Sequence, residues 1–388
     1  MRRTVEVLII GGGVVGCSIA YHLARRGLRD VTVLEQAAVG SGSSGKAVGG
    51  IRLQFSTPVC VRLSLLSLAA FERFQAEMGM DPGLEQCGYL LVTARPDEMA
   101  AFERNVAMQR GLGVDVRTVT PDEIARIHPW LRVDDLVGGT FCPTDGVAGP
   151  AEVTAAFARR ARELGTRVLE GCRVTGIRVR DGRVLEVETS GEAVAPGALV
   201  VAAGAWSGLI GELLGVDLPV RPLKREVFVS EALPDHPPGT PMVIEPDRAW
   251  YCRREGPGVL MAGGLGPGTS FDTQVDWGNL VHSAELALRR MPRLTDAAFT
   301  RAWAGSLDMT PDGNAIMGPI PGLQRAYVAA GFSGHGFMHS PATGQVMAEL
   351  ILDGEARSVD IAPLSVERFA RGEWLSEALV FSRPPEEG

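Results

Sequence analysis

Lysine, histidine, tyrosine and cysteine are all scarce in this sequence, and their scarcity excludes several classes of protein. The 388 residues include six histidines, four tyrosines and six cysteines, and the only lysines are Lys46 and Lys224. The cysteines are scattered and form no Cys-x-x-Cys pair, so neither a disulfide framework nor a zinc site is expected. Reduced thiols in a cytoplasm are the simpler account, and we predict a cytoplasmic protein without a metal.

Excess positive charge and long apolar runs are missing as well. The chain carries 38 Lys and Arg against 46 Asp and Glu, a net charge of −8, which argues against nucleic acid or an anionic membrane as the main partner. No apolar segment reaches the length that a bilayer span requires. The apolar run after Met1-Arg2-Arg3 contains Glu6 and leads into a glycine turn instead of a cleavage site, so it does not read as a signal peptide.

A glycine-rich turn near the N-terminus is the most informative pattern that is present. The apolar run Val5–Ile10 is followed by three glycines and by a helical pattern over Val14–Arg26, and a second apolar run covers Val31–Leu34. This order predicts a strand, a turn, a helix and a second strand, with the spacing G-x-G-x-x-G. Such a unit binds the pyrophosphate of a dinucleotide at the helix N-terminus. An unrelated glycine-rich α/β loop is the alternative.

The three glycines of this pattern have distinct tasks. Gly11 makes the tight turn, Gly13 allows the backbone to approach the pyrophosphate, and Gly16 allows the helix to pack closely on the strand. Glu35 follows the second strand, where a carboxylate accepts hydrogen bonds from ribose hydroxyls. The Gly/Ser-rich loop after Glu35 contains Ser43 and Ser44 and is predicted to wrap another part of the dinucleotide.

The remaining periodicity indicates an α/β chain that is long enough for two domains. Helices are predicted over residues 57–78, 97–110, 150–164 and 277–291, and strands over 89–93, 166–169, 173–180, 183–189, 198–203 and 326–330. Two further extended segments, 219–231 and 248–264, are bounded by Pro/Gly loops and are predicted to belong to a separate sheet.

A second glycine turn lies near the C-terminus, over residues 331–341. Ser340 is predicted to cap a helix over 341–352, with Pro341 in the first helical position. The N-terminus of such a helix stabilises negative charge, as at the N1/O2 edge of a reduced flavin. An ordinary strand–turn–helix connection is the alternative. His335 and His339 have no cysteine or acidic partner at ligand spacing, so metal binding is not predicted.

Taken together, these motifs resemble those of the D-amino-acid-oxidase-like flavoprotein family, and most of all its sarcosine oxidase and glycine oxidase branch, including the sarcosine oxidase β subunit. The resemblance covers nearly the whole chain. It is carried by Gly11–Gly16, Ala202–Ser207, Thr310–Asp312, Gly331–Phe337 and Ser340–Gly344, in this order.

The resemblance implies an α/β fold with a glutathione-reductase-type Rossmann domain for FAD and a smaller α+β substrate domain with a mixed or antiparallel sheet. Residues 1–80, 146–218 and 301–388 would form the FAD domain, and 81–145 and 219–300 the substrate domain. The FAD contacts that it implies are Gly11, Gly13, Val15, Gly16, Glu35, Gln36, Ser43, Ser44, Lys46, Gly49, Gly50, Val174, Ala203, Gly204, Trp206, Gly334, His335, Gly336, Phe337 and Met338.

The chemistry implied by the resemblance is the oxidation of a C–N bond, with hydride transfer to flavin N5 and hydrolysis of the imine. Arg52 matches the family's carboxylate-binding arginine in position, and a guanidinium fits a carboxylate bidentately. An arginine paired with a structural acid is the alternative. Tyr251 resembles the aromatic residue that covers the substrate, although it and Arg253 are also compatible with packed or surface positions on a strand.

Four departures from the family pattern modify this expectation. Gly305 stands where monomeric sarcosine oxidases carry the cysteine that links the flavin, so FAD is predicted to be non-covalent. Met261 is predicted to replace the lysine that promotes oxygen reduction, and Met338 replaces a lysine that helps bind the carboxylate. The histidine that links FMN in the β subunit of multisubunit enzymes has no counterpart around residues 145–148, so no FMN is predicted.

The resulting functional hypothesis is an FAD enzyme that oxidises a small secondary or N-methyl amino acid, with sarcosine first, to glycine, formaldehyde and hydrogen peroxide. Its candidate site residues are Arg52, Tyr251, Met261, His335 and Met338. One alternative is a dehydrogenase for glycine, L-proline or a D-amino acid that passes electrons to a partner or quinone instead of oxygen. The other is a non-catalytic flavoprotein subunit whose partner subunits carry the chemistry. An NAD enzyme is disfavoured by the C-terminal turn.

Overall fold

The structure is a computed structural model that describes residues 3–264, 269–375 and 377. Residues 1–2, 265–268, 376 and 378–388 of the predicted domains therefore lie outside the described residues. Two eight-stranded sheets and one two-stranded sheet make up the β-structure of the described part. Its strands, in chain order, are β1 Arg3–Ile10, β2 Val31–Leu34, β3 Gly50–Ile51, β4 Tyr89–Thr93, β5 Arg117–Val119, β6 Gly138–Cys142, β7 Gly146–Val147, β8 Arg167–Leu169, β9 Val174–Arg180, β10 Arg183–Thr189, β11 Val194–Val201, β12 Arg221–Ser230, β13 Met242–Glu245, β14 Trp250–Glu255, β15 Gly258–Ala262, β16 Phe299–Met309, β17 Ile316–Pro319 and β18 Ala326–Ala330.

The α-helices follow the apolar periodicity of the sequence at most places. The predicted helix over 57–78 is divided at Arg73. The helix Pro121–Ile127 begins with a capping box, in which Thr120 Oγ1 accepts from Glu123 N and the Glu123 carboxylate accepts from Thr120 N. The helices are α1 Val14–Arg25, α2 Pro58–Glu72, α3 Phe74–Met78, α4 Pro96–Gly111, α5 Pro121–Ile127, α6 Pro150–Glu163, α7 Ser207–Leu214, α8 Gly278–Arg290, α9 Gly336–Asp353 and α10 Glu367–Arg371.

The first sheet has the order β17-β18-β11-β1-β2-β8, and every neighbour from β18 to β8 is parallel. Apolar side chains cover both faces of β1 and β11, as the parallel sheet of an α/β fold requires. Helices α1, α6 and α9 pack together on one face. The ribbon β9–β10 continues from β11, and its turn residues Asp181 and Gly182 both have positive φ, as a two-residue hairpin demands.

The second sheet has the order β16-β12-β15-β14-β13-β4-β6-β5 and is antiparallel except for the parallel pair β13–β4. This mixed sheet confirms the expected fold class. In the described residues, strands β3, β5, β6, β7, β13, β16 and β17 are additional to those predicted from the sequence. The predicted extended segment over 248–264 forms two strands, because the turn at Gly256 folds β15 back on β14.

The boundary predicted at residue 301 falls inside a strand of the second sheet. Strand β16 pairs with β12 along its whole length, from Arg221↔Met309 to Ser230↔Phe299. Residues 301–309 therefore pair with the sheet of the predicted substrate domain and not with that of the FAD domain. The division into two domains stays a prediction, and the pairing of β16 moves that boundary to the turn after Met309.

Two further features of the described residues bear on the composition-based expectations. None of the helices in the described ranges is long and apolar enough to cross a membrane. The six cysteines form no disulfide, and within residues 3–264, 269–375 and 377 no group of three or more His, Cys, Asp or Glu side chains could hold a metal ion.

Candidate active site

One large cavity, of about 1120 Å³, lies between the two sheets. One of its sides is formed by turns that follow the carboxyl ends of β1, β2, β11 and β18, which is where open α/β sheets bind ligands. Its other side is formed by side chains of the second sheet. We call the first the nucleotide side, comprising Gly11, Gly13–Val15, Glu35–Ala37, Ala202–Gly204 and Phe332–Met338. We call the other the second-sheet side, comprising Tyr89, Arg225, Val227, Met242, Ile244 and Tyr251.

The N-terminal glycine turn is shaped by two contacts that leave no room for a side chain. Gly11 has φ +115°, and a Cβ there would overlap the carbonyl oxygen of Ala202. A Cβ at Gly16 would overlap the carbonyl oxygen of Gly11, so α1 packs directly on the turn. Gly16 does not line the cavity. Its position fits the predicted task of close helix–strand packing.

The carboxylate of Glu35 lies across the same turn. Its Oε2 accepts a hydrogen bond from Gly12 N at 2.8 Å, and its Oε1 accepts from Ala37 N at 2.9 Å. These bonds fix the carboxylate at the cavity wall. Because each carboxylate oxygen has a second lone pair, both can still accept from a hydroxyl group.

The loop over residues 43–50 is tied to both sides of the cavity. Ser44 Oγ accepts from Val14 N at 2.9 Å, and Ser43 Oγ donates to the carbonyl of Ser306 at 2.5 Å. The Trp303 indole donates to the carbonyl of Lys46 at 2.9 Å. A Cβ at Gly305 would lie only 2.7 Å from Lys46 Cβ. The loop therefore runs between the nucleotide side and β16.

The C-terminal turn differs from the prediction in where its helix begins. Helix α9 starts at Gly336 instead of Pro341, with His335 as its N-cap residue and without a side-chain cap from Ser340. The N–H groups of the first turn, which have no acceptor within the helix, therefore belong to Gly336, Phe337 and Met338. These three residues line the cavity, so the positive end of the helix dipole faces it.

Pro341 lies inside α9, and hydrogen bonds from side chains compensate for the ladder that it interrupts. Ser340 Oγ donates to the carbonyl of Phe337 at 2.8 Å, and Ser67 Oγ of α2 accepts from Ala342 N at 3.2 Å. The prediction failed because a proline normally marks a first turn, whereas here tertiary partners satisfy the freed backbone groups.

Arg52 lies in the cavity beside the C-terminal turn. Its side chain is 1% exposed and lines the cavity, and its Nη2 lies 3.1 Å from His335 Nε2. Because a guanidinium only donates, His335 Nε2 is the acceptor and its proton resides on Nδ1. Burial, followed by the positive charge of Arg52, lowers the pKa of His335 well below its usual value, so this imidazole is neutral. The Arg52 guanidinium also lies 4.4 Å from the centre of the Phe55 ring.

Tyr251 lies on the second-sheet side of the cavity, with the Arg225 guanidinium 5.4 Å from its ring centre, and its role over the substrate stays a prediction. Arg253, two residues on, does not line the cavity; its Nε donates to the carbonyl of Val48 at 3.0 Å.

The placement of Met261 at the site is wrong. Met261 pairs with Phe228 and Cys252 and is buried with them in the core on the opposite face of the second sheet. Ala262, one residue on, pairs with Tyr251 and shares its core cluster. Successive strand residues point to opposite faces, and position along the strand alone did not show that Met261 faces away from the cavity.

With the exception of Gly16, every predicted FAD contact lines the cavity, including Val15, Gln36, Gly49, Gly50, Val174, Ala203, Gly204, Trp206, Gly334 and Met338. Arg52, Tyr251 and His335 line it as well. The structure thus brings the two distant glycine turns together around one space. Which of these residues contact FAD stays a prediction.

Sequence reasoning missed several residues that line the cavity. Tyr89 and Arg225 belong to the second sheet, and Ser306 and Asp308 lie on β16. Burial raises the pKa of Asp308 to about 6, opposed by hydrogen bonds such as that from Phe332 N at 3.0 Å. The only available signal was the position of Asp308 just before the Thr310–Asp312 motif.

The residues present fit an FAD molecule. The glycine cradle at residues 11–16 admits a close backbone approach, Glu35 lies beside it, and the free N–H groups of α9 face the far part of the same cavity. This fold and this site define a dinucleotide-binding flavoprotein.

The chain belongs to the DAO family of FAD-dependent oxidoreductases, which matches it over residues 6–350. The protein is therefore an FAD-dependent oxidoreductase. It is similar to the crystal structure of L-proline dehydrogenase from P. horikoshii, with a TM-score of 0.89 and 34% identity over 97% of this chain and 100% of the other.

Two curated relatives widen the comparison. Glycine oxidase from Geobacillus kaustophilus is 31% identical over 95% of this chain and 98% of its own length. Mitochondrial dimethylglycine dehydrogenase from Rattus norvegicus is 28% identical over 95% of this chain but only 45% of its own length. The chain thus spans nearly the whole length of glycine oxidase and less than half the length of dimethylglycine dehydrogenase.

Proposed function

We propose that this flavoprotein oxidises the C–N bond of a small secondary or N-methyl amino acid, with sarcosine as the first candidate, and that it holds FAD without a covalent link. The observation that carries the proposal is the buried guanidinium of Arg52 in the cavity, beside the start of α9. Gly305 lines the cavity where a linking cysteine would otherwise stand, which supports non-covalent binding.

A buried guanidinium selects for a carboxylate. Burial lowers the pKa of Arg52, and the negative charge of Glu377 opposes that shift. A substrate carboxylate would offer the guanidinium a further negative charge and two parallel hydrogen-bond acceptors. The neutral imidazole of His335 adds no charge, and its contact with Nη2 orients the guanidinium.

The chain's own residues mainly bind and orient the substrate. Bound FAD supplies the chemistry by accepting a hydride equivalent from the carbon next to nitrogen, after which water hydrolyses the imine. Arg52 holds the carboxylate, Tyr251 covers the substrate from the second sheet, and the N–H groups of Gly336–Met338 stabilise negative charge at the cavity wall.

A second candidate substrate is L-proline, which is also a secondary amino acid. The 34% identity to L-proline dehydrogenase extends over both whole chains, and the similarity to glycine oxidase also covers both. The chain matches less than half of dimethylglycine dehydrogenase, and a flavoprotein subunit that works with partner subunits is therefore the further alternative.

Anaerobic reduction of the bound flavin tests the proposal directly. The purified protein is mixed without oxygen with sarcosine, L-proline, glycine or D-alanine, and the flavin absorbance near 450 nm is followed. We expect sarcosine or L-proline to bleach it fastest. Rapid recolouring in air, with hydrogen peroxide formed, would indicate an oxidase, and slow recolouring a dehydrogenase. If no small amine reduces the flavin, the proposal gives way to a non-catalytic subunit.

A further inference from the structure

Asp145 is a fully buried carboxylate at the junction between the cavity and the two sheets. It directly precedes β7, and β7 pairs with β3 through Gly50↔Val147 and Ile51↔Gly146. Arg52 is the first residue after β3, so Asp145 stands opposite the segment that begins with Arg52. Asp145 does not itself line the cavity.

The hydrogen bonds of Asp145 fix the backbone immediately after Arg52. Its Oδ1 accepts from Leu53 N at 2.8 Å, and its Oδ2 accepts from Gln54 Nε2 at 3.0 Å. Its main-chain carbonyl accepts from Gly88 N at 2.8 Å, just before β4. One residue therefore ties the Arg52 segment to the second sheet.

Gln54 extends this attachment. Its Nε2 also donates to the carbonyl of Tyr89 on β4 at 3.1 Å, and its Oε1 accepts from Thr140 Oγ1 on β6 at 2.6 Å. Both Gln54 and Thr140 are almost completely buried. A buried amide with its donor and acceptor both satisfied holds one orientation, because any rotation leaves polar atoms without partners.

Arg52 is thus held from two directions. Its guanidinium is oriented by His335 and lies over the Phe55 ring, while the next two residues are held by Asp145. Preorganising a charged side chain in this way lowers the entropy that is lost when a ligand binds.

Burying a carboxylate costs free energy unless hydrogen bonds compensate for the lost hydration. Burial raises the pKa of Asp145 to about 7, and hydrogen bonds from Gln54 and Leu53 oppose that rise. A second aspartate with a buried carboxylate, Asp312, forms an ion pair with Arg368 at 2.7 Å that ties α10 to the turn after β16. Both carboxylate oxygens of Asp145 instead accept hydrogen bonds from the two residues that follow Arg52.

We propose that Asp145 is a positioning residue that fixes Arg52 for the carboxylate of the substrate. The inference rests on the proposed function, because it needs Arg52 to bind that carboxylate. It predicts that loss of Asp145 weakens the recognition of carboxylates and leaves the oxidation of amines without a carboxylate unchanged.

The test compares Asp145→Ala with the wild-type holoenzyme on L-proline or sarcosine and on pyrrolidine, a secondary amine that has no carboxylate. Loss of a positioning hydrogen-bond pair is expected to raise KM for the amino acid about tenfold, with kcat within about twofold. FAD content and the kcat/KM for pyrrolidine should not change. The carboxylate 2-furoate serves as a ligand without an amine group. Its affinity, measured from the change that it causes in the flavin spectrum, should weaken by the same factor.

Two further variants keep the test decisive if Asp145→Ala folds poorly. Gln54→Leu removes one of the two bonds and should raise KM about threefold, and Asp145→Asn should do the same, because it keeps an acceptor for Leu53 N but turns an NH2 group towards Gln54 Nε2. Glu226→Ala is the matched control, because Glu226 also accepts from one backbone N–H, that of Asp276 at 2.7 Å, and one side-chain amide, that of Asn279, but does not line the cavity. It should lower stability without changing KM.

The outcomes separate this inference from the proposed function. If Arg52→Ala raises KM while Asp145→Ala and Gln54→Leu lower only the melting temperature, the role of Asp145 is overturned and the proposed function stands. If the wild-type protein neither oxidises these amino acids nor binds 2-furoate, the proposed function fails and this inference fails with it.

Discussion

The two sides of the cavity are built in different ways. The nucleotide side consists largely of glycines and backbone N–H groups at turns after parallel strands, and most of its residues were implied as FAD contacts by the motifs and the family resemblance. The second-sheet side consists of side chains on strands, and there the sequence found Tyr251, missed Tyr89 and Arg225, and misplaced Met261. Backbone sites follow from chain order, whereas a side-chain site depends on which face of a strand each residue occupies.

The largest expected effect is on the nucleotide side, at Gly11. Gly11→Ala should yield a protein that binds no FAD or does not fold, because φ is +115° and the new Cβ would overlap the carbonyl of Ala202. Flavin absorbance and soluble yield measure this. The matched control is Gly27→Ala, where φ is +96° but no atom lies within 4 Å of the new Cβ. Gly27→Ala should lower the free energy of unfolding by only about 1–2 kcal/mol. A yellow Gly11→Ala protein with wild-type stability would contradict the account of the turn.

The next effect separates the two faces of the second sheet. Met261→Ala should lower the free energy of unfolding by about 2–5 kcal/mol, since Met261 is fully buried in the core, and should leave kcat and KM unchanged. Urea unfolding and steady-state kinetics measure the two quantities. Tyr251→Phe should behave in the opposite way, with altered KM and a stability change below about 1 kcal/mol. A change in the rate of oxygen reduction in Met261→Ala would return Met261 to the site.

Arg52 lies where the two sides meet. Arg52→Ala should weaken substrate binding by about 1.5–3 kcal/mol, the value of a charge-assisted hydrogen bond, and FAD should remain bound. This loss corresponds to roughly a 10- to 150-fold rise in KM. Arg52→Lys should give a KM between those of wild type and Arg52→Ala, because an ammonium keeps the charge but cannot make the bidentate contact. Arg62→Ala, an exposed arginine on α2, is the control. An unchanged KM for small amino acids in Arg52→Ala would remove Arg52 from the site.

The smallest expected effect concerns acid stability on the far face of the second sheet. Burial, followed by the positive charge of His236, lowers the pKa of His128 to about 4, and the two rings lie 5.7 Å apart. Because the unfolded chain binds this proton near pH 6.5, the contribution of the neutral ring is complete above that pH and is lost as the pH falls towards 4. At pH 5.5 the loss is about 1 kcal/mol for this group.

His128→Phe tests this effect through the pH dependence of unfolding. The difference in unfolding free energy between pH 7 and pH 5.5 should become smaller in the variant by the amount that His128 contributes. His282→Phe is a comparison, since His282 is exposed on α8. An equal pH dependence in wild type and His128→Phe would show that this imidazole does not contribute to the loss of stability at acidic pH.

The accuracy with which the sequence predicts the bounds of strands and helices differs from one segment to the next. The strands Val31–Leu34 and Ala326–Ala330 have the predicted bounds, because short apolar runs between glycines and charges leave little choice. Helix α9 begins five residues before the predicted start, because Ser67 on a different helix satisfies a backbone group that Pro341 sets free. No local signal contains that partner.

The pairing of β16 with β12 gives a second example. Local pattern alone left residues 299–309 without an assigned strand, yet they form the longest strand of the second sheet and carry Gly305, Ser306 and Asp308 to the cavity. Strand pairing depends on residues that are distant along the chain, so only the folded molecule decides it.

Chain order by itself predicted a dinucleotide cofactor, since a glycine turn between a strand and a helix places free backbone N–H groups at a phosphate, and the family resemblance narrowed the cofactor to FAD. The tertiary structure alone decided that Arg52 meets His335, that Met261 faces away from the cavity, and that Asp145 holds the segment after Arg52. These are contacts between residues up to 283 positions apart, and their existence depends on sheet register and burial, which no local spacing encodes.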